Sequence, residues 1–123
     1  MADLTYALKG VVTGGTGAAA LALGRPAAGK TGTSQSNASA WFSAYTPQLA
    51  ASVALFRDNA SETLNGIGGL NSVTGGTFPA KIWTAFMKGA LRGQPIMDFP
   101  APANIGGLEP VVMTSGGVQQ RNP

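Results

Sequence analysis

The sequence predicts an α+β fold in which an antiparallel β-meander is flanked by helices. Three short segments have strand-like patterns and are separated by turns: residues 27–33, 40–46 and 50–57. Consecutive strands joined by turns this short pair antiparallel. A later segment, residues 79–92, carries a wide apolar stripe at helical spacing and supplies a layer that can cover one face of the sheet.

The N-terminal region predicts a short helix over residues 3–12. Its apolar residues recur at helical spacing, and Asp3 is a suitable N-cap; they are Leu4, Ala7, Leu8 and Val11. Three glycines within residues 13–17 end this helix, because glycine is unfavourable in helices. Residues 18–23 are apolar and fit either a helix or a strand.

The predicted strands follow in order. Residues 34–39 form a polar turn after the first strand. The second strand alternates, with Trp41, Ser43 and Tyr45 on one face and Phe42 and Ala44 on the other. A tight turn with Pro47 in its second position leads into the third strand.

The C-terminal half begins with a long polar loop over residues 58–77. In the helix at residues 79–92, Pro79 suits the first turn, and the following side chains form the expected buried stripe: Ile82, Trp83, Phe86, Met87, Ala90 and Leu91. Five of the eight prolines lie beyond residue 93 without periodicity. We therefore predict a domain over residues 1–93 and a disordered tail over 94–123.

Composition excludes several kinds of chemistry. The chain has no cysteine and no histidine, which rules out thiol chemistry, histidine triads and zinc sites of the usual type. Its net charge of +3 comes from dispersed residues, so no nucleic-acid surface is expected. No cofactor or metal is expected either. No targeting signal and no run of about 20 apolar residues is visible in the sequence.

Residues 24–34 read GRPAAGKTGTS and contain the candidate chemistry. Gly24 to Thr31 match the phosphate-binding pattern GxxxxGK[ST], which needs a helix beginning at Lys30. The residues after Thr31 are poor helix formers. A nucleotide-binding protein is therefore one alternative, which a β-strand through Lys30 would exclude.

The same stretch also fits a different motif. Lys30-Thr31-Gly32 followed by Thr33 resembles the KTG motif of the penicilloyl serine transferases, which lies on a strand. Gly32 suits that role, since a side chain there would stand between the strand and a substrate lying along it.

Further segments resemble the C-terminal half of the transpeptidase domain of class A, bifunctional penicillin-binding proteins, most closely the actinobacterial type. They occur in chain order over about residues 4–93: Gly14-Gly15-Thr16-Gly17, Gly24-Arg25-Pro26, Gly29-Lys30-Thr31-Gly32-Thr33, Ala40-Trp41-Phe42, Ala44-Tyr45-Thr46-Pro47, Gly75-Gly76-Thr77-Phe78-Pro79-Ala80, Ile82-Trp83 and Phe86-Met87. The resemblance implies part of a five-stranded transpeptidase fold similar to that of β-lactamases.

The resemblance also implies a function. The parent enzyme would cross-link peptidoglycan stem peptides through an acyl-serine intermediate at the extracytoplasmic face of the membrane. Lys30 would join the hydroxyl network opposite the nucleophile. Thr31 and Thr33 would bind the terminal carboxylate of a stem peptide or β-lactam, beside Gly32. The Thr33 backbone N–H would be an oxyanion donor.

The sequence lacks two of the three catalytic motifs of the family. No serine is followed by lysine three residues later, and no S-x-N motif precedes Lys30. We therefore expect a fragment that is inactive alone, with the N-terminal part of the same domain as its partner and its membrane attachment in an upstream segment. A non-catalytic remnant that docks on another cell-wall protein is the remaining alternative.

Overall fold

The computed structural model describes residues 2–101, 112–114 and 117–119. Its central sheet contains three strands, β1 (Ala28–Thr33), β2 (Ser39–Tyr45) and β3 (Ala50–Phe56). They pair antiparallel in the order β1-β2-β3, with Thr31 opposite Phe42 and Phe42 opposite Val53. The predicted α+β meander is confirmed.

Two α-helices flank the sheet: α1 (Ala2–Thr13), which packs against β1, and α2 (Phe78–Ala90), which packs against β2 and β3. Helix α1 already includes Ala2, so Asp3 lies in its first turn rather than at the expected N-cap. The ambiguous apolar segment forms a 3₁₀ helix, Ala18–Leu23, and two shorter 3₁₀ helices are Gln35–Asn37 and Ile67–Gly69. No helix within the described ranges combines the length and apolarity that crossing a membrane requires.

The core lies between α2 and one face of the sheet. Trp83 and Met87 on α2, and Leu91 directly after its last residue, recur every fourth residue and are buried against Phe42 and its neighbours. The predicted stripe is wider than the buried face, because Ile82 and Phe86 are 45% and 55% exposed. Ile82 and Phe86 directly precede Trp83 and Met87, so each lies about 100° around the helix from a buried residue. Because α2 contacts the sheet on one side only, both remain exposed.

The segment after residue 93, for which a disordered tail is predicted, makes contacts with the preceding domain where it is described. Pro95 accepts hydrogen bonds from Arg25 and Gln48, and the ring of Phe99 packs edge-on against Tyr45. Two further strands, β4 (Val112–Thr114) and β5 (Gly117–Gln119), pair antiparallel. Residues of the segment 94–101 therefore contact the preceding domain. The domain boundary at residue 93 and the disorder of residues 94–123 stay predictions, and residues 102–111, 115–116 and 120–123 lie outside the described residues.

Candidate functional site

The KTGT motif lies on β1, at one edge of the sheet. Side chains alternate along a strand. Lys30 therefore shares a face with its neighbour Ser43, while Thr31 shares the opposite face with Phe42. By the same alternation, Gly32 lies on the face of Lys30 and Thr33 lies on the face of Thr31. The structure thus brings the four predicted residues onto one strand and divides them between its two faces.

This geometry excludes the phosphate-binding interpretation. Lys30 lies inside a six-residue strand, and the next helical segment is the three-residue 3₁₀ turn Gln35–Asn37. A phosphate-binding loop needs a helix that begins at the lysine, so that its backbone N–H groups converge on the phosphate. The prediction of a nucleotide-binding protein is therefore wrong.

The lysine face of the sheet carries polar groups. Lys30 is exposed, and its Nζ donates a hydrogen bond to the Thr31 carbonyl at 3.1 Å. Ser43 lies opposite Lys30, and its hydroxyl is 2.5 Å from that of Ser52 on β3. A cavity of about 540 Å³, bounded on one side by Leu8, opens over this row. Lys30, Ser43 and Ser52 therefore line a cavity that solvent can reach.

The hydroxyl face contacts two glycine-rich loops. The Thr31 hydroxyl is 2.6 Å from the hydroxyl of Thr16, which lies in the turn after α1. The backbone N–H of Gly75, in the loop before α2, donates to the Thr33 hydroxyl at 3.5 Å. Each threonine of the motif therefore has a polar partner from a different loop.

The Thr33 backbone is orientated toward the edge of the sheet. Ser34 N–H donates to the Ser39 carbonyl of β2 at 2.9 Å. Successive N–H groups of a strand point to opposite sides, so Thr33 N–H points away from β2. It has the direction required of a donor to a molecule bound along this edge.

Two comparisons place the chain among known proteins. Penicillin-binding protein 1A of Mycolicibacterium smegmatis is 40% identical over 92 residues, covering 71% of this chain and 12% of the relative. That of Mycobacterium tuberculosis is 39% identical over 92 residues, covering 71% of this chain and 11% of the relative. The structure of the Mycobacterium tuberculosis penicillin-binding protein PonA1 superposes with a TM-score of 0.74 at 33% identity, covering 96% of this chain and 33% of that one.

The chain belongs to the penicillin-binding protein family. Penicillin-binding protein 1A of Haemophilus influenzae, with a TM-score of 0.64 and 24% identity over 95% of this chain and 19% of that one, has the same fold. No protein-family model matches the chain. The chain spans about 12% of the length of its curated penicillin-binding relatives.

Sequence reasoning assigned no role to several residues that border the motif. The strand pattern identifies Ser43 only as an alternating position, and Thr16 and Gly75 enter only through the family resemblance. The hydrogen bonds of Thr16 and Gly75 with β1 join residues 15 and 42 positions apart in the chain. In the part of the chain that the structure describes, no three metal-ligating side chains lie close together.

Proposed function

We propose that this chain supplies the substrate-binding strand of a peptidoglycan D,D-transpeptidase. One observation carries the proposal: the KTGT residues form an edge strand whose Thr33 N–H points away from the sheet. A peptide or β-lactam that lies along this edge can place its carbonyl oxygen at that N–H. Charge that develops on this oxygen is then stabilised by a preorganised donor.

The side chains have distinct roles in this proposal. Lys30 holds its ammonium group at the open edge of β1, where Nζ donates to the Thr31 carbonyl at 3.1 Å. It can stabilise a hydroxyl network next to a nucleophilic serine. Thr31 and Thr33 donate hydroxyl protons to the terminal carboxylate of the stem peptide or β-lactam.

The backbone at Gly32 also contributes. A Cβ on Gly32 would contact only Trp41 Cβ, at 3.6 Å, which is an ordinary contact. The fold therefore tolerates a side chain at this position. The need for glycine comes instead from the close approach of the substrate.

The nucleophile comes from a different segment. None of the eight serines is followed by lysine three residues later, so this chain alone does not form an acyl-enzyme. The N-terminal part of the domain, held at the extracytoplasmic face of the membrane, supplies the serine. The 123-residue chain is expected to remain unlabelled by penicillin; covalent labelling of the isolated chain would contradict this assignment.

A chimeric protein tests the proposal. Residues 2–93 replace the matching stretch of the Mycolicibacterium smegmatis relative, and the rate of covalent labelling by a fluorescent penicillin is measured. We expect the chimera to be labelled and Lys30→Ala to slow labelling by about 100-fold. Lys81→Ala, which changes an exposed lysine on α2, is the matched control and should keep the rate. The proposal would be overturned by a folded chimera that is not labelled, or by a labelling rate that Lys30→Ala leaves unchanged.

A further inference from the structure

Thr16 contacts the KTGT motif through its hydroxyl group, and the proposed function assigns it no role. Its hydroxyl oxygen lies 2.6 Å from that of Thr31, at the distance of a strong O–H···O hydrogen bond. The two residues are 15 positions apart, one in the turn after α1 and one on β1. Both hydroxyls lie at exposed atoms, so this hydrogen bond is not needed to satisfy a buried group.

Thr16 is held in place from two sides. On the α1 side, Gly17 N–H donates to the Val11 carbonyl at 2.9 Å, which closes the turn. On the other side, the loop before α2 touches it so closely that a Cβ on Gly76 would lie 2.0 Å from the Thr16 carbonyl oxygen. The position of the Thr16 backbone is therefore determined before any substrate binds.

The same loop also contacts the strand. A Cβ on Gly75 would lie 3.0 Å from both the Gly32 nitrogen and the Thr31 Cβ. Gly75 N–H donates to the Thr33 hydroxyl at 3.5 Å. The turn with Thr16, the loop with Gly75 and the strand β1 thus form one packed unit around the two threonine hydroxyls.

A hydroxyl has one proton and two lone pairs, so its donor direction depends on its partners. If Thr31 donates its proton to Thr16, it has none for a carboxylate. If Thr31 accepts from Thr16, its own proton is free to point outward, and the chain of hydrogen bonds polarises it. Only the second arrangement suits the binding of an anion.

We propose that Thr16 is a positioning residue that donates to the Thr31 hydroxyl and so directs the Thr31 proton toward the substrate carboxylate. The inference rests on the proposed function, because it concerns the carboxylate that Thr31 binds there. It assigns to the turn after α1 a part in substrate recognition without direct contact. It also distinguishes Thr16 from Thr13, whose hydroxyl donates to the Lys9 carbonyl within α1.

The test uses the same chimera with two β-lactams, a penicillin with its free carboxylate and the methyl ester of that penicillin. Thr16→Val removes the hydroxyl at nearly constant volume. We expect it to slow acylation by the free acid about tenfold and to leave the ester rate nearly unchanged, because hydrogen bonds to charged groups are the stronger ones. Thr16→Ser should restore the wild-type rate with the acid. Thr13→Val is the control and should change neither rate.

The possible outcomes distinguish a failure of the inference about Thr16 from a failure of the proposed function. An equal fall in both rates would indicate a purely structural role and overturn the inference, as would an acid rate unchanged in Thr16→Val. If Thr16→Val fails to fold in a thermal melt, Thr16→Ala is measured in its place. A chimera with Thr16 intact that is not labelled overturns the proposed function itself, and the inference with it.

Discussion

Phe42 and Trp83 meet edge to face, with ring centroids 5.4 Å apart and ring planes at 83°. Both side chains are fully buried. The indole N–H of Trp83 also donates to the carbonyls of Ala44 and Ala51, each at 3.2 Å. This one side chain therefore attaches α2 to β2 and β3 at once, and α2 in turn fixes the sheet that carries the motif.

Removal of Trp83 should destabilise the fold strongly. We expect Trp83→Ala to lower the free energy of unfolding by about 3–5 kcal/mol, because it leaves a large cavity in the core. Phe86→Ala on the same helix is the matched control. Since Phe86 is 55% exposed, its loss should cost less than about 1 kcal/mol. Urea denaturation of the chain measures both, and equal losses would contradict this account of the core.

Gly75 should not tolerate a side chain. A Cβ there would lie 2.0 Å from the Trp41 carbonyl oxygen, and backbone cannot move aside as a flexible side chain can. We expect Gly75→Ala to cost about 3 kcal/mol or more. Gly89→Ala, where nothing lies within 4 Å of the added Cβ, should instead stabilise α2 by about 0.5–1 kcal/mol. Thermal unfolding distinguishes the two; a neutral Gly75→Ala would show that this loop is not in close contact with β2.

Gly32→Ala should separate function from folding. Since the added Cβ meets only Trp41 Cβ at 3.6 Å, the variant should unfold at nearly the same temperature as the wild type. In the chimera described above, we expect it to slow penicillin labelling by at least about tenfold, because the methyl group occupies the path of the substrate. Unchanged labelling would mean that the substrate does not lie against this position.

Arg25 should determine whether the segment after α2 stays in place. Its guanidinium donates to the carbonyls of Leu91, Gln94 and Pro95 at 2.8–3.0 Å. Lysine cannot reproduce this fork of donors. We expect Arg25→Lys to cost about 1–2 kcal/mol and to speed hydrogen exchange at the Gln94 amide. Arg92→Lys, at an exposed residue just beyond α2, is the control and should leave both measurements unchanged.

The chain by itself should associate through β3. Within the described ranges, β3 has a neighbouring strand on one side only, and Phe56 at its end is 68% exposed. Unpaired edges with apolar side chains favour pairing between chains. Sedimentation velocity should therefore show concentration-dependent association that Phe56→Lys weakens. Leu21→Lys, which changes a residue 53% exposed outside the sheet, should not alter it. A monomer at all concentrations would contradict the prediction.

The order and type of the main elements could be read from local patterns. Alternation between Trp41 and Phe42, and the periodicity of Trp83 and Met87, both depend on residues close in sequence, and the structure confirms them. The KTGT strand was predictable for the same reason: after Thr31 the chain has residues that resist a helix. The motif and the flanking segments over about residues 4–93 together carry the family resemblance by their residue identities.

Tertiary structure decided which periodic residues are buried and what surrounds the motif. Ile82 and Phe86 belong to the apolar stripe, but α2 has a sheet on one side only, so both remain exposed. The contacts from Thr16 to Thr31 and from Gly75 to Thr33 join three separate segments. No local pattern encodes them, because they arise only when the turn after α1, the loop before α2 and β1 pack together. The sequence alone determined which residues can carry the chemistry, and packing determined which hydroxyls stand beside them.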